Sequence, residues 1–381
     1  MRTIARFQVS TARSFAVVLT LSLVSVGWTR SAALIDAPAA QDVIVLFPSN
    51  ASQSNDGKHW SVTVQGRVYQ PAGVSKKRTV LINAIAKVFD LDDNQVKSSL
   101  FEERAGYLLS ISEPNRRVTV KIGDHTFRLP PSNSGGYFTD EIQLDQDEIS
   151  RLARDGVISF ETVPTAANSS RVTGSAILAP EVGLSVVTDM DDTIKVTDVL
   201  HHTEMLKNTL VRTFSAVTGM VPLYQSWQKA AKDQILFHVV SAGPWQMYEP
   251  LRHFTEDAKF PGFAWYMRPA LKPRTWQELL HELKPDPYPF KVHTIEGIMK
   301  RFPRRHFIFV GDSGEKDPEV YSTLLAEYPT QVDAVFIRNV TKEPRDAVRY
   351  KNDFRGDAAA KLWVFNNPAE LPLLSSIGVV L

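Results

Sequence analysis

The sequence of 381 residues contains no cysteine. This absence excludes disulfide bonds, thiolate metal sites, a cysteine nucleophile and a lipid-modified N-terminal cysteine. An excess of charge is absent as well, because 43 lysines and arginines stand against 42 aspartates and glutamates. Nucleic-acid-binding proteins usually carry a strongly basic surface, so no nucleic-acid partner is expected.

The apolar stretch near the N-terminus, Phe15 to Trp28, is shorter than the roughly 20 apolar residues of a membrane span. Three arginines precede it, and small residues follow it from Ser31 onwards. Basic, apolar and small residues in this order are typical of a secretory signal. We therefore predict a signal peptide over residues 1–33 and an exported protein, periplasmic or secreted, either free or associated with a membrane. An uncleaved N-terminal anchor is the alternative.

The length and a hydrophobic content of 43% are sufficient for two domains. Residues 41–179 are predicted to form a mostly β, sandwich-like N-terminal domain. Apolar and polar residues alternate from Trp60 to Val68 and from Arg117 to Ile122, as in half-buried strands, and Val157 to Val163 is a further apolar run. One helix is predicted near Arg78 to Asp90. This region contains no recognisable catalytic constellation.

The pattern changes near Ala179, where strand-like apolar runs begin to alternate with helix-length amphipathic segments. The predicted strands are Leu184–Thr188, Ile235–Val240, His306–Val310, Ala334–Ile337 and Leu362–Phe365. This alternation predicts an α/β fold, a parallel sheet with helices on both faces. Ligands of such sheets bind at the carboxyl ends of the strands. We therefore predict that residues 180–381 form a second domain that carries the active site.

A cluster of acids directly follows the first of these strands, with Asp189, Asp191 and Asp192 close together. A carboxylate such as Asp189 can attack phosphorus as a nucleophile. Asp191 can protonate the leaving oxygen and then deprotonate water. Carboxylates this close repel each other unless a cation neutralises them, and oxygen ligands suit Mg²⁺. The alternative interpretation is an acid-rich surface turn.

Two later features are suited to holding a phosphate. The second strand leads into Ser241, Ala242 and Gly243, and the Ser241 hydroxyl with the adjacent backbone N–H groups can hold phosphoryl oxygens. Lys291 lies at the start of a predicted helix and can neutralise both the phosphate and the nucleophilic carboxylate. Taken alone, a strand ending in Ser-x-Gly is common, and a single lysine is usually solvated.

The last feature follows the strand His306–Val310 and contains two more acids. Asp312 is in a position to ligate the metal ion. Asp317 has two interpretations. In the functional one, it is a second metal ligand or it orients Lys291 or a metal-bound water. In the structural one, it is an N-cap in front of Pro318 at the first position of a helix.

Two segments between these features are candidates for the entrance to the site. Residues 196–233 are predicted to be helical and to form a small lid. Residues 244–290 are rich in aromatic residues, namely Trp245, Tyr248, Phe254, Phe260, Phe263, Trp265, Tyr266 and Trp276. Exposed aromatic side chains would suit a lipid or a membrane interface. The alternative is that most of them belong to the core.

The order of the features, Asp-x-Asp-x-Thr, strand-Ser, Lys and Gly-Asp-x-x-x-x-Asp, resembles the four-motif series of the haloacid-dehalogenase superfamily. More narrowly, Asp189–Lys195, Val240–Pro244 and Gly311–Tyr321 resemble the catalytic domain of the actin-patch-type phosphatidate phosphatases, which are distant relatives of the lipins. The resemblance extends from about Gly183 to Val340. The N-terminal domain shows no comparable likeness.

This resemblance implies a Rossmann-like haloacid-dehalogenase core and the Mg²⁺-dependent hydrolysis of phosphatidic acid to diacylglycerol and phosphate through an aspartyl-phosphate. It implies a phosphorylated lipid as the partner and a peripheral membrane contact. The implied catalytic residues are Asp189, Asp191, Ser241 and Lys291; the implied substrate-binding residues are Thr193, Ser241, Ala242, Gly243 and Lys291. The implied metal ligands are Asp189, Asp191 through its backbone carbonyl, Asp312 and Asp317.

Two alternatives remain open for the function. One is an exported phosphatase for soluble phosphomonoesters, and the other is a catalytically inactive module that binds lipid. An inactive module has no reason to keep both Asp189 and Asp191.

Overall fold

The computed structural model of the protein describes residues 36–72, 82, 86, 91–231, 234–269 and 286–377. The predicted signal sequence and most of the helix predicted near Arg78 to Asp90 therefore lie outside the described residues. Among the described helices, none combines the length and the apolar character that are needed to cross a bilayer.

The N-terminal region is mostly β, as the alternating runs predict. Its strands are β1 (Val43–Phe47), β2 (Ser49–Gln53), β3 (His59–Gln70), β4 (Ile111–Ser112), β5 (Thr119–Ile122), β6 (His125–Arg128), β7 (Tyr137–Asp145), β8 (Val157–Thr162) and β9 (Thr173–Ala179). Its helices are α1 (Asp93–Val96), α2 (Ser99–Leu108) and α3 (Gln146–Leu152).

These strands form one hydrogen-bonded sheet in the order β1-β3-β2-β9-β8-β5-β6, with β4 and β7 also paired to β3. All pairs are antiparallel except β2 with β9. The side chains of Val62 and Val64 share a buried cluster with Val120 and Phe160 from the far half of the sheet. The sheet therefore folds over on itself and encloses its own core, which is how it resembles a sandwich without consisting of two separate sheets.

The second sheet contains β10 (Gly183–Thr188), β11 (Ile235–Pro244), β12 (Phe263–Arg268), β13 (Arg305–Asp312), β14 (Val332–Arg338) and β15 (Leu362–Phe365). The order is β12-β11-β10-β13-β14-β15 and every pair is parallel. All five predicted strands are confirmed. Strand β12 was not among the predicted strands; its residues were considered only as part of the aromatic-rich segment 244–290.

Helices of this region pack on both faces of the parallel sheet, as predicted. They are α4 (His202–Leu210), α5 (Met220–Ala230), α6 (Tyr248–Asp257), α7 (Tyr288–Arg301), α8 (Asp317–Glu327), α9 (Val348–Asp353) and α10 (Asp357–Ala360). Val186 belongs to an apolar cluster with residues of α5 and α6, whereas the next residue, Val187, belongs to a cluster with residues of α7 and α8. A strand covered on both faces has a nearly continuous apolar sequence.

The two sheets are in direct contact, and residues Asp36–Leu381 form a single compact unit. The ring of Phe47 stacks on Trp245 at a centroid distance of 3.9 Å. The backbone N–H of Trp265 donates to the carbonyl of Pro48, at 3.1 Å. Arg301 pairs with Glu141 at 2.6 Å. The N-terminal region is therefore part of the body that surrounds the parallel sheet.

The aromatic residues of the segment 244–290 are mostly core residues. The side chains of Trp245, Tyr248, Phe254, Phe260, Phe263 and Trp265 are buried, and Tyr266 is half-buried. Trp276 lies outside the described residues. The core interpretation is thus confirmed for the described members, and they supply no exposed aromatic patch for a membrane.

A buried arginine joins the strands at the edge of the sheet where their amino ends meet. Arg305 has no exposed surface, and its guanidinium donates to the Ser185 hydroxyl at 2.9 Å. It also donates to four backbone carbonyls at the start of β10 and just before β11, namely those of Pro180, Val182, Leu184 and Gln234. Arg305 therefore satisfies several backbone acceptors with one buried side chain.

We expect Arg305→Met to lower the free energy of unfolding by about 3 kcal/mol, because buried acceptors lose a charged donor. Urea unfolding followed by circular dichroism measures the change. Arg304→Met is the matched control, since Arg304 is exposed and pairs with Glu181; it should cost less than about 0.5 kcal/mol. Equal effects of the two substitutions would contradict the structural role of Arg305.

Candidate active site

Three neighbouring parallel strands bring the predicted motifs together. Strand β10 is paired with β11 on one side and with β13 on the other. Asp189 directly follows β10, Ser241 lies near the end of β11, and Asp312 ends β13. Because the strands are parallel, their carboxyl ends meet at the same edge, and the three side chains converge there.

Lys291 connects two of the carboxylates. Helix α7 places its side chain, which is only 1% exposed, at this edge of the sheet. Its Nζ lies 2.7 Å from Asp189 Oδ1 and 2.5 Å from Asp317 Oδ1. Burial acts to lower the pKa of Lys291, but Asp189 and Asp317 outweigh it and raise the pKa well above its ordinary value. Lys291 is therefore a fixed positive charge in the site.

Asp317 belongs to the site rather than to a helix cap. It is the first residue of α8, and the preceding residue, Lys316, makes no side-chain cap. Besides contacting Lys291, the Asp317 carboxylate accepts a hydrogen bond from the backbone N–H of Asp312 at 3.1 Å. A Cβ on Gly311 would lie 2.3 Å from Asp317 Oδ2, so glycine is required at that position for the carboxylate to approach. The N-cap interpretation of Asp317 is therefore wrong.

The carboxylates of Asp189, Asp312 and Asp317 form a buried cluster suited to a cation. Each offers an oxygen within 4.8 Å of the others. Asp189 Oδ2 and Asp312 Oδ2 are buried and have no hydrogen-bond partner. Burial raises the pKa of Asp189 well above its ordinary value, against the opposing effect of Lys291. Burial and the neighbouring Asp317 and Asp189 also raise the pKa of Asp312. Unpaired oxygens under this repulsion fit a hard divalent cation.

Asp191 is not a member of that cluster. Its Oδ1 lies 2.8 Å from Lys195 Nζ and accepts a hydrogen bond from the Thr197 hydroxyl at 2.7 Å. Burial acts to raise the pKa of Asp191, but the charge and hydrogen bonds of Lys195 and Thr197 outweigh it and lower the pKa. Among the described residues, the Asp191 carboxylate is thus not part of the candidate metal cluster, and its backbone carbonyl as a metal ligand stays a prediction.

The third acid of the motif, Asp192, is structural. Its carboxylate accepts hydrogen bonds from the backbone N–H groups of Thr197, Asp198 and Val199. Its backbone has a φ of +52°, and its carbonyl accepts from Arg338 at 2.6 Å. Asp192 therefore closes the loop that holds Asp189 and Asp191 in place.

The predicted phosphate-holding segment lies beside Asp189. Ser241 is buried, and its hydroxyl accepts from the backbone N–H of Gly243 at 3.1 Å. Ser241, Ala242 and Gly243 line the same cavity as Asp189 and Asp191. The Thr193 hydroxyl is buried without a hydrogen-bond partner and does not line this cavity, so its predicted contact with substrate remains a prediction.

The cavity holds about 70 Å³ and is lined by both polar and apolar side chains. The polar lining residues are the acids Asp189, Asp191 and Glu315 with Lys195, Thr197, Thr209 and Ser241. The apolar lining residues include Val199, Met205, Leu206, Phe214, Pro244, Met247 and Leu251. Helix α4 supplies part of this wall, so the segment predicted as a helical lid is helical and borders the cavity. A phosphoryl group beside Asp189 would have its leaving group next to apolar side chains.

Sequence reasoning missed several residues of the site. Glu315 lines the cavity and lies 3.7 Å from Lys291. Arg349 donates to the carbonyls of Ser313 and Glu315, both at 2.5 Å, and so holds the loop after β13. Lys195 was assigned no role. A single charged residue without a spacing pattern looks like a solvated one, so only the contacts identify these three.

We expect Asp312→Asn to stabilise the protein in EDTA. The amide keeps the oxygen that accepts from Gly314 N–H and removes a charge that Asp189 and Asp317 repel. Because the folded protein raises the pKa of Asp312, the wild type loses stability as the pH rises from the ordinary carboxyl range towards that pKa. The gain should therefore be about 1–2 kcal/mol near pH 8 and smaller near pH 5.

Urea unfolding in EDTA at the two pH values measures this gain. Asp257→Asn, at an exposed position of α6, is the control and should change the free energy of unfolding by less than about 0.5 kcal/mol. A loss of stability at pH 8 on Asp312→Asn would show that repulsion among the carboxylates is not the dominant effect.

Comparison with known proteins finds similarity in the segment that carries this site. Residues 184–339 match the family model described as the catalytic domain of phosphatidate phosphatase APP1. Over 160 residues the chain is 32% identical to phosphatidate phosphatase APP1 of Saccharomyces cerevisiae, a match covering 41% of this chain and 26% of that protein. Over 163 residues it is 23% identical to an uncharacterized protein of Schizosaccharomyces pombe, covering 42% and 26%.

The chain spans about a quarter of the length of these curated relatives. The matched segment contains β10 to β14 and every acid, hydroxyl and amine predicted to act in the site. The resemblance predicted from the motifs is therefore confirmed for residues 184–339, which match the APP1-type phosphatidate phosphatase catalytic domain and carry all of the predicted site residues.

Proposed function

We propose that the protein is a Mg²⁺-dependent phosphatase of the haloacid-dehalogenase type that hydrolyses phosphatidic acid to diacylglycerol and phosphate. One observation carries the proposal. Asp189 is buried with one carboxylate oxygen against Lys291 and the other unpaired, in a cluster with Asp312 and Asp317. The similarity of residues 184–339 to the phosphatidate phosphatase catalytic domain supports the choice of substrate.

In the first half of the proposed reaction, Asp189 attacks phosphorus and forms an aspartyl-phosphate while the bond to the alcohol oxygen breaks. Lys291 and the Ser241 segment hold the phosphoryl oxygens. Asp189, Asp312 and Asp317 would hold the Mg²⁺ ion, which when bound supplies positive charge against the carboxylates and the phosphate. The raised pKa of Lys291 means that it remains charged throughout.

Asp191 is the proposed acid and base. In its contact with Lys195 and Thr197 it is ionised, which is the form that accepts a proton from the water attacking the aspartyl-phosphate. The first half-reaction needs the protonated form. An anionic phosphoryl group beside Asp191 raises the pKa of Asp191. Substrate binding itself therefore favours the protonated form of Asp191, which can donate its proton to the leaving alkoxide.

The apolar lining of the cavity supports an alcohol with apolar character as the leaving group. Val199, Met205 and Phe214 offer no hydrogen-bonding side-chain groups to a sugar or another polyol. A soluble phosphomonoester of that kind would leave its hydroxyl groups unpaired against these side chains, which costs binding free energy. Phosphatidic acid carries its acyl chains next to the phosphoglycerol and avoids this cost.

We expect Asp189→Asn to reduce phosphate release from phosphatidic acid by about 10⁴-fold, because the amide is no nucleophile. Phosphate release with Mg²⁺ is measured on dispersed phosphatidic acid and on soluble phosphomonoesters, and EDTA should abolish it. Asp257→Asn is the matched control and should retain wild-type activity.

If the wild type prefers a soluble phosphomonoester, the proposed lipid substrate is refuted but the proposed phosphatase activity is not. Unchanged activity of Asp189→Asn, or hydrolysis of neither class, would refute the proposed chemistry.

We also propose that residues 1–33 direct export and that the protein works in peripheral contact with a membrane. The order of basic, apolar and small residues supports export. We expect a reporter fused after residue 40 to appear outside the cytoplasm. Deletion of residues 1–33 should return it to the cytoplasm, as measured by cell fractionation. A reporter retained in the cytoplasm with residues 1–33 intact would contradict export.

A further inference from the structure

Helix α2 of the N-terminal region reaches the wall of the candidate active site. Its residues Phe101, Ala105 and Leu108 are buried in the same apolar cluster as Met205 and Leu206 of α4. Met205 and Leu206 also line the cavity beside Asp189. Helix α2 lies outside residues 184–339, so the similarity to known catalytic domains assigns it no role.

Arg104 is the charged residue of this contact. Its side chain points into the interface and the residue is only 3% exposed. One guanidinium nitrogen, Nη1, donates to the carbonyl of Thr209 at 3.0 Å and to the carbonyl of Arg212 at 2.7 Å. These carbonyls lie at and just beyond the end of α4, where the helix has no backbone donors for them and where a positive charge is favourable.

The same guanidinium also lies over the ring of Phe214, with its central carbon 3.7 Å from the ring centroid. A cation at this distance over an aromatic face is attracted to it, and more strongly where water is excluded. Thr209 and Phe214 both line the cavity. Arg104 therefore holds two points of the segment that forms the wall.

A chain of contacts continues from Phe214 to the predicted acid and base. Lys195 Nζ lies 5.0 Å from the centroid of the Phe214 ring. Lys195 in turn pairs with Asp191 at 2.8 Å. By contrast, the groups predicted to hold the phosphoryl oxygens, Ser241 and Lys291, stand on β11 and α7 and have no contact with Arg104 among the described residues.

We propose that Arg104 is a positioning residue, which sets the place of the cavity wall on the side of the leaving group. It acts through Thr209, Arg212 and Phe214 and touches no reacting atom. The proposal rests on the phosphatase function proposed above. It predicts that loss of Arg104 affects substrates according to the size of their leaving group, since the phosphoryl-holding groups are anchored elsewhere and Asp191 keeps its own contacts with Lys195 and Thr197.

The test compares Arg104→Met with wild type on two substrates, p-nitrophenyl phosphate and dispersed phosphatidic acid. We expect kcat/KM for phosphatidic acid to fall about tenfold, mainly through KM, while kcat/KM for the small aryl ester changes less than about twofold. Arg151→Met is the matched control, because Arg151 is an exposed arginine of the same region paired with Asp124. It should leave both values unchanged.

Hydrogen–deuterium exchange gives a readout that does not depend on activity. In Arg104→Met, amides of residues 205–214 should exchange faster, while those of β10 and β13 should not. Phe214→Leu, which removes the other half of the stacked pair, should show the same substrate ratio and provides the test if Arg104→Met does not fold.

Equal losses on the two substrates, or unchanged exchange in residues 205–214, would overturn the proposal. Hydrolysis of neither substrate by the wild type would instead refute the proposed function, and the exchange comparison would still decide whether Arg104 holds the wall.

Discussion

The candidate site depends on one buried ammonium group, that of Lys291, between the carboxylates of Asp189 and Asp317. Burial, together with the repulsion among the three carboxylates, raises the pKa values of Asp189 and Asp312. Lys291 offsets part of this repulsion and leaves one oxygen on Asp189 and one on Asp312 unpaired. The charge of Lys291 does not neutralise all of the carboxylates, and a divalent cation binds strongly under this condition.

Three aspartates within four positions have three different environments. Asp189 faces Lys291, Asp191 faces Lys195 and Thr197, and Asp192 faces backbone N–H groups. Identical side chains therefore acquire different chemistry, and the pKa of Asp189 is raised whereas that of Asp191 is lowered. This division arises because the chain turns sharply after β10, so that successive side chains leave the loop in different directions.

The N-terminal region is a structural partner of the parallel sheet. Phe47 stacks on Trp245, and Arg104 holds the segment that ends in Phe214. Periodicity along the chain detects the change from β to α/β structure near Ala179, but it carries no information on which faces meet. Contacts between residues more than a hundred positions apart depend on the packing of both regions and leave no spacing pattern.

The sequence by itself determined the parallel α/β region, its five predicted strands and the residues of the four motifs, since strand periodicity and motif spacing are local properties. It did not determine the role of Asp317, the burial of the aromatic segment or strand β12. Only the tertiary structure decided that Asp317 faces Lys291, that Lys195 holds Asp191 and that Arg104 reaches the cavity wall. Each of these depends on the distance between atoms that are far apart in the chain, and that distance exists only after the sheets have packed.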